Sequence, residues 1–241
     1  MTQTTNRYRH TDEVDGALRA AARIVPEIFA LTGPVRSVVD VGGGTGAWLS
    51  AFLQQGAQDV TLHDSTAVAD TLLIPQERFY PVDLSQTMPP EGRYDLAVCV
   101  ECAEHLPATR ARPLVSWLTR SADRVVFSAA ISYQGGKGHI NEQPQTYWRE
   151  LFAEHGFACR DLLRGRILHD QSVPWWYRQN LFLYTAPNVS LASECDNFIS
   201  SDFHLVHENV RERLEHPGVR RSSFQLASAI IDGIRRSLRI K

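Results

Sequence analysis

The segment Val38-Val39-Asp40-Val41-Gly42-Gly43-Gly44-Thr45-Gly46-Ala47-Trp48 constrains this chain more than any other. A short β-branched run with little polar alternation suits a strand buried on both faces. The glycines after it permit positive φ and let a ligand approach the backbone closely, and a helix starting at Ala47 offers free N–H groups. Strand, glycine turn and helix in that order place a nucleotide-like ligand at the turn. Asp40 adds a second constraint. A carboxylate ending an apolar strand is costly to bury unless a cation or hydrogen-bond donors meet it. A pyrophosphate has the wrong sign for that partner, and an ammonium or sulfonium has the right one.

The rest of the chain repeats the strand and helix alternation. Apolar residues at helical spacing from Asp12 to Leu31 predict a leading helix, stopped by Gly33-Pro34. Strands are expected at 35–41, 60–64, 78–82, 95–100, 124–129, 157–162 and 181–184, with helices at 47–55, 67–73, 109–121 and 145–155. Such alternation implies βαβ units and a mostly parallel sheet covered by helices on both faces, a doubly wound α/β architecture. Beyond Pro187 the character changes. Ala227, Ile231, Ile234 and Leu238 form one apolar stripe beside Arg220, Arg221, Arg235, Arg236, Arg239 and Lys241, which reads as a C-terminal helix able to dock on the domain or join a homodimer.

Composition excludes several classes. With 241 residues, 43% hydrophobic and 22% charged, the chain is neither intrinsically disordered nor too short for a sizeable core. A net charge of −2 gives no global positive field for a phosphate backbone, so nucleic acid is not an expected partner. No apolar run reaches the length of a membrane helix, and no membrane partner is expected. Four cysteines are too sparse for a disulfide scaffold and fit a reducing, cytoplasmic setting. Cys99 and Cys102 form a CxxC with no second pair to complete four metal ligands, so zinc or redox chemistry is not expected there.

Two cofactor classes fit the glycine turn. Gly42-x-Gly44-x-x-Ala47, with Asp64 about 20 residues on, satisfies the relaxed dinucleotide fingerprint, which keeps an NAD-dependent oxidoreductase open. Asp40-x-Gly42-x-Gly44-x-Gly46 resembles the first motif of the class I S-adenosylmethionine-dependent methyltransferases, and the likeness spans about residues 35–186. The resemblance implies a Rossmann-like, mostly parallel seven-stranded sheet whose last strand, Leu181 to Tyr184, runs antiparallel. It implies that Asp40, Gly42, Gly44 and Gly46 hold S-adenosylmethionine, that Asp64 binds the ribose hydroxyls and that Asp83 lies near the adenine amino group. The organisation it suggests is an N-terminal helical segment at 1–34, a cofactor-binding domain at 35–186 and a C-terminal helical extension at 187–241. A non-catalytic binding protein that keeps this fold is a further alternative, with the C-terminal helix as its docking element.

In such sheets ligands lie beyond the carboxyl ends of the strands, so the loops after the fourth and fifth strands face the reacting group. They contain Glu101-Cys102-Ala103-Glu104-His105 and Gly135-Gly136-Lys137-Gly138-His139, each with a histidine near carboxylates. A neutral histidine can take a hydroxyl proton at neutral pH, which makes His139 the candidate base, with His105 and Glu101 in support. Glu101, Glu104, His105 and His139 could instead hold a divalent metal such as Mg. That pattern is similar to the metal site of small-RNA 2′-O-methyltransferases, and E-x-x-E-H stretches occur in ubiquinone-pathway O-methyltransferases. The missing basic surface makes RNA a doubtful substrate. Tyr147, Trp175, Trp176 and Arg178 are expected to wall a small-molecule pocket, the arginine pairing an acidic substituent. Arg7-Tyr8-Arg9-His10 is a segment able to fold over the cofactor, a lesser reading than a place away from it. The expected activity is O-methylation of a small polar molecule, a sugar or natural-product intermediate.

Overall fold

A computed structural model describes residues 3–192, with side chains from residue 14 onward. The expected C-terminal helix and the side chains of Arg7 to His10 lie outside the described residues. In chain order the elements are α1 (Gln3–Thr32), β1 (Ser37–Val41), α2 (Ala47–Gln54), β2 (Asp59–Asp64), β3 (Phe79–Pro81), β4 (Leu96–Val100), α3 (Ala111–Ser121), β5 (Arg124–Ser128), α4 (Gln145–Ala153), β6 (Ala158–Arg160), α5 (Leu163–Ile167), α6 (Trp175–Asn180) and β7 (Phe182–Thr185).

The seven strands form one sheet in the order β3-β2-β1-β4-β5-β7-β6. β1 is central, parallel to β2 with Val38 opposite Val60 and parallel to β4 with Asp40 opposite Val98. β7 enters antiparallel between β5 and β6, with Val126 opposite Leu183. The expected antiparallel last strand is therefore present. This order departs from the all-parallel 3-2-1-4-5-6 order of dinucleotide folds and removes support from the nicotinamide reading.

Both faces of the sheet are covered, which is why the central strands show no alternation of polarity. On one face Val38, Val60, Leu96 and Val98 pack against Ile24, Val25, Ile28 and Leu31 of α1, Leu49 and Phe52 of α2, and Leu163 and Ile167 of α5. On the other face Val39, Val41, Ala97 and Phe127 pack against Leu114, Trp117 and Leu118 of α3 and Leu151 and Phe152 of α4. Each fully buried aliphatic side chain of α1 contributes about 1.5–3 kcal/mol by leaving water. Polar ties add direction: Arg23 bridges Glu27 and Asp170, and Arg166 reaches the same Glu27.

Three expectations need correction. The leading helix begins at Gln3 rather than Asp12. The helix expected at 67–73 is a 3₁₀ segment, Thr66–Thr71, with no buried side chain to hold a full helix against the sheet. The segment 157–162 pairs only over Ala158–Arg160, after which α5 begins at Leu163. No helix among the described residues is long and apolar enough to cross a membrane.

Candidate active site

β1 delivers Asp40 to the carboxyl edge of the sheet, and the glycine loop closes over it. Gly42 has φ +74°, donates its N–H to His63 O at 2.7 Å, and lies so close to Cys102 that a Cβ would stand 2.1 Å from the sulfur. A Cβ on Gly43 would fall 2.2 Å from Asp40 Oδ2. Only glycine lets the chain pass at both places. Asp40 is 1% exposed, and neither carboxylate oxygen has a hydrogen-bond partner. Burial, and then the charge of Asp64, hold its carboxyl well above the usual carboxylate range. A carboxyl buried without a partner is costly to ionise unless a cation or hydrogen-bond donors meet it.

Two adjoining cavities open on this edge. The larger, about 530 Å³, is lined by Asp40, Gly42 to Thr45, Trp48, Glu101, His105, Gln134, Lys137, His139 and the aromatic trio Trp175, Trp176 and Tyr177 of α6. The smaller, about 260 Å³, is lined by Asp64, Asp83, Ser85 and Cys102. Gly42, Glu101 and His105 border both, so the cavities meet between the glycine loop and the end of β4. Asp64 is fixed by the N–H groups of Gly44 at 2.7 Å and Ser65 at 2.6 Å. Asp83 is fixed by Ser85, whose N–H and hydroxyl both donate to it.

Gly46, expected at the cofactor, lines neither cavity. Its φ of +78° turns the chain into α2 beside Ile74. Tyr147 and Arg178 are likewise outside the lining. Tyr147 packs on the core around Trp148, and Arg178 Nη1 donates to the Leu168 carbonyl at 3.1 Å. Trp175 and Trp176 do face the larger cavity.

The loops after β4 and β5 are stitched together by the backbone. The Glu104 carbonyl accepts the N–H groups of Ile140 at 2.9 Å and Asn141 at 3.0 Å, and His105 Nδ1 lies 3.2 Å from the Gly138 carbonyl. The rings of His105 and His139 meet edge to face at 4.9 Å. His139 Nδ1 lies 3.0 Å from Glu142 Oε1, which also accepts the Gly135 N–H at 2.6 Å. A carboxylate on Nδ1 fixes the tautomer that leaves Nε2 as the basic or ligating nitrogen.

Glu101 adopts φ +53°, rare for a residue with a side chain, and is held there by Ser128. Its N–H donates to the Ser128 carbonyl at 3.1 Å, and its Oε1 accepts the Ser128 hydroxyl at 2.8 Å. Strain of this kind gathers at functional sites. Glu104 is fully buried with neither carboxyl oxygen in a hydrogen bond of ordinary geometry. Burial, then the charge of Glu101, push it up to about 9.

Of the four expected metal ligands the structure gathers three. Donor atoms of Glu104, His105 and His139 lie within 4.8 Å of one another, whereas Glu101 is outside this group. The residues that sequence reasoning missed are Ser128 and Glu142. The i,i+3 spacing of His139 and Glu142 was a readable signal. Nothing local announced Ser128.

The chain matches a known family over residues 8–114, described as a methyltransferase domain. No curated protein matches it by sequence. Among solved structures it is similar to the mitomycin 7-O-methyltransferase MmcR, at 16% identity and TM-score 0.50, covering 76% of this chain and 56% of that one. The pyocyanin biosynthetic protein PhzM gives 19% identity and TM-score 0.50, covering 69% and 54%. An O-methyltransferase family protein from Burkholderia thailandensis gives 14% identity and TM-score 0.50, covering 73% and 59%. The chain thus spans a little over half the length of these three, and the likeness carries the fold alone. The domain match includes the glycine loop, and the seven-stranded sheet with its antiparallel β7 is the architecture that the resemblance to class I, S-adenosylmethionine-dependent methyltransferases implies.

Proposed function

We propose that this protein is a cytoplasmic enzyme that methylates a hydroxyl of a small polar molecule, a sugar or natural-product intermediate, with His139 as general base. The observation that carries this reading is the His139–Glu142 pair on the wall of the larger cavity. S-adenosylmethionine supplies an electrophilic methyl group on a sulfonium when bound. Asp40, Gly42 and Gly44 would hold its methionine part and Asp64 and Asp83 its nucleoside. The junction bordered by Glu101 and His105 is the suitable place for the methyl group, because it opens to both cavities.

In-line displacement needs the acceptor oxygen aligned and freed of its proton. Nε2 of His139 takes that proton as the new O–CH₃ bond forms and the S–CH₃ bond breaks. Glu142 stabilises the resulting imidazolium. Trp175, Trp176 and Tyr177 supply apolar walls that exclude water from the acceptor.

A second reading is favoured by the Glu104 carboxyl, which is buried without an ordinary partner beside His105 and His139. These three would hold a divalent cation that acidifies the acceptor hydroxyl. One carboxylate with two imidazoles suits Mn, Co or Zn better than Mg, which prefers oxygen ligands.

The experiment is methyl transfer from tritiated S-adenosylmethionine into a small-molecule extract, with and without chelator, alongside His139→Ala. In the base reading the variant loses turnover by about two to four orders of magnitude while S-adenosylhomocysteine affinity is kept, and chelator changes nothing. Loss of the wild-type rate on chelation, restored by Mn or Co, selects the metal. Undiminished activity in His139→Ala refutes both, and no transfer by the wild type favours a non-catalytic binding protein.

A further inference from the structure

The charges lining the larger cavity are separated. Asp40 and Glu101 stand at the ends of β1 and β4, and Asp40 is almost fully buried. Lys137 is the one lysine or arginine among the described lining residues, and it is exposed at the lip. The backbone on either side of it is held in place. The turn that carries it has positive φ at Gly135 and Gly138. The Gly135 N–H is tied to Glu142, and the Gly138 carbonyl lies against His105. Gly136 packs so tightly on His139 that a Cβ would stand 2.2 Å from the imidazole. The Lys137 backbone therefore sits between two fixed points in a turn that belongs to the histidine pair, which keeps the root of its side chain at the cavity.

The acidic floor matches a cationic methyl donor, which leaves the lip for the acceptor. We propose, resting on the reading above, that Lys137 is a specificity residue: the acceptor carries an acidic group, a carboxylate or a phosphate, which the ammonium holds while the hydroxyl faces His139. A charge-assisted contact of this kind restricts which hydroxylated molecules reach the base and leaves the chemical step untouched.

The acceptor can remain unidentified while its charge is tested. The tritiated product made by wild-type enzyme from a small-molecule extract is passed over an anion-exchange resin at neutral pH. The expected product is retained. Retention lost after alkaline phosphatase identifies a phosphate, and retention kept identifies a carboxylate. Lys137→Met lowers labelling about tenfold at limiting extract, with the deficit closing as extract is raised, and Lys137→Arg restores most of it. S-adenosylhomocysteine affinity by calorimetry stays unchanged in both. A product that flows through, or a Lys137→Met enzyme equal to wild type, overturns the assignment. An equal loss of S-adenosylhomocysteine affinity also overturns it, because the lysine then serves the carboxylate of the methyl donor. No labelled product from the wild type would remove the functional reading itself, whereas a neutral product removes only the role of Lys137.

Discussion

Replacement of Asp40 by Asn tests the central feature of the site. Asp40 is buried at the end of β1, with neither oxygen hydrogen-bonded, facing the charge of Asp64 and near Cys99 and Tyr177. Its folded pKa is raised above the unfolded value of about 3.9. Between those two values the folded protein holds a proton that the unfolded chain has lost, so stability falls as pH rises through the window. The cost is complete above the folded pKa. Each unit of displacement corresponds to about 1.4 kcal/mol, and for a chain of this length about 1 kcal/mol moves Tm by about 2–4 °C. Asn keeps the shape of the protonated side chain and cannot ionise. Without ligand, Asp40→Asn therefore melts above wild type at pH 8, and the gap closes toward pH 4. With S-adenosylhomocysteine the sign reverses. The ligand ammonium gains a charge-assisted bond of about 1.5–3 kcal/mol from Asp40, which Asn supplies only weakly, so the ligand-induced rise in Tm shrinks in the variant. Differential scanning fluorimetry from pH 4 to 8, with and without ligand, reads both effects. A variant that melts at or below wild type at pH 8, or that keeps the full ligand shift, would refute the account of Asp40 as a buried acid that meets the ligand ammonium.

Gly42→Ala combines left-handed backbone strain of about 1–2 kcal/mol with a collision against Cys102 of about 1–3 kcal/mol. Urea unfolding should show a loss of about 2–5 kcal/mol with an unchanged m-value, and a loss under about 1 kcal/mol contradicts the close approach. Glu142→Gln keeps an acceptor for His139 and the Gly135 N–H but removes the negative charge beside the imidazole. Turnover falls about 10–100-fold with S-adenosylhomocysteine affinity kept, and the double variant with His139→Ala is no slower than His139→Ala alone. Additive losses in that cycle would separate Glu142 from the histidine.

What could be read from the sequence divides along one physical line. The glycine loop and the central strands were legible because their causes are local. Strands covered on both faces by α1, α2, α3 and α4 must be short apolar runs, and a chain passing over Asp40 and under Cys102 must be glycine there. The 3₁₀ segment at Thr66–Thr71 was misread as a helix because its composition allows one, while burial that would complete it is absent. The two arginines near the end of the domain show the same limit on the polar side. Arg178 looked like a pocket cation by its aromatic neighbours, yet α6 turns Trp175 and Trp176 to the cavity and sends Arg178 to the Leu168 carbonyl. Arg164 is instead fully buried, paired with Asp161 and lying 4.4 Å from the Phe182 ring, an arrangement that exists only once α5 has docked on β7. The catalytic loops extend the argument. His105 and His139 meet because the Glu104 carbonyl captures the N–H groups of Ile140 and Asn141, two backbone bonds that carry no sequence signal. A pattern of side chains can therefore nominate His139 as a base, but only the backbone stitch brings it a second histidine and a buried glutamate. That stitch makes the two loops a single site, and because it is made by backbone atoms it survives a change of the Glu104 or Asn141 side chain.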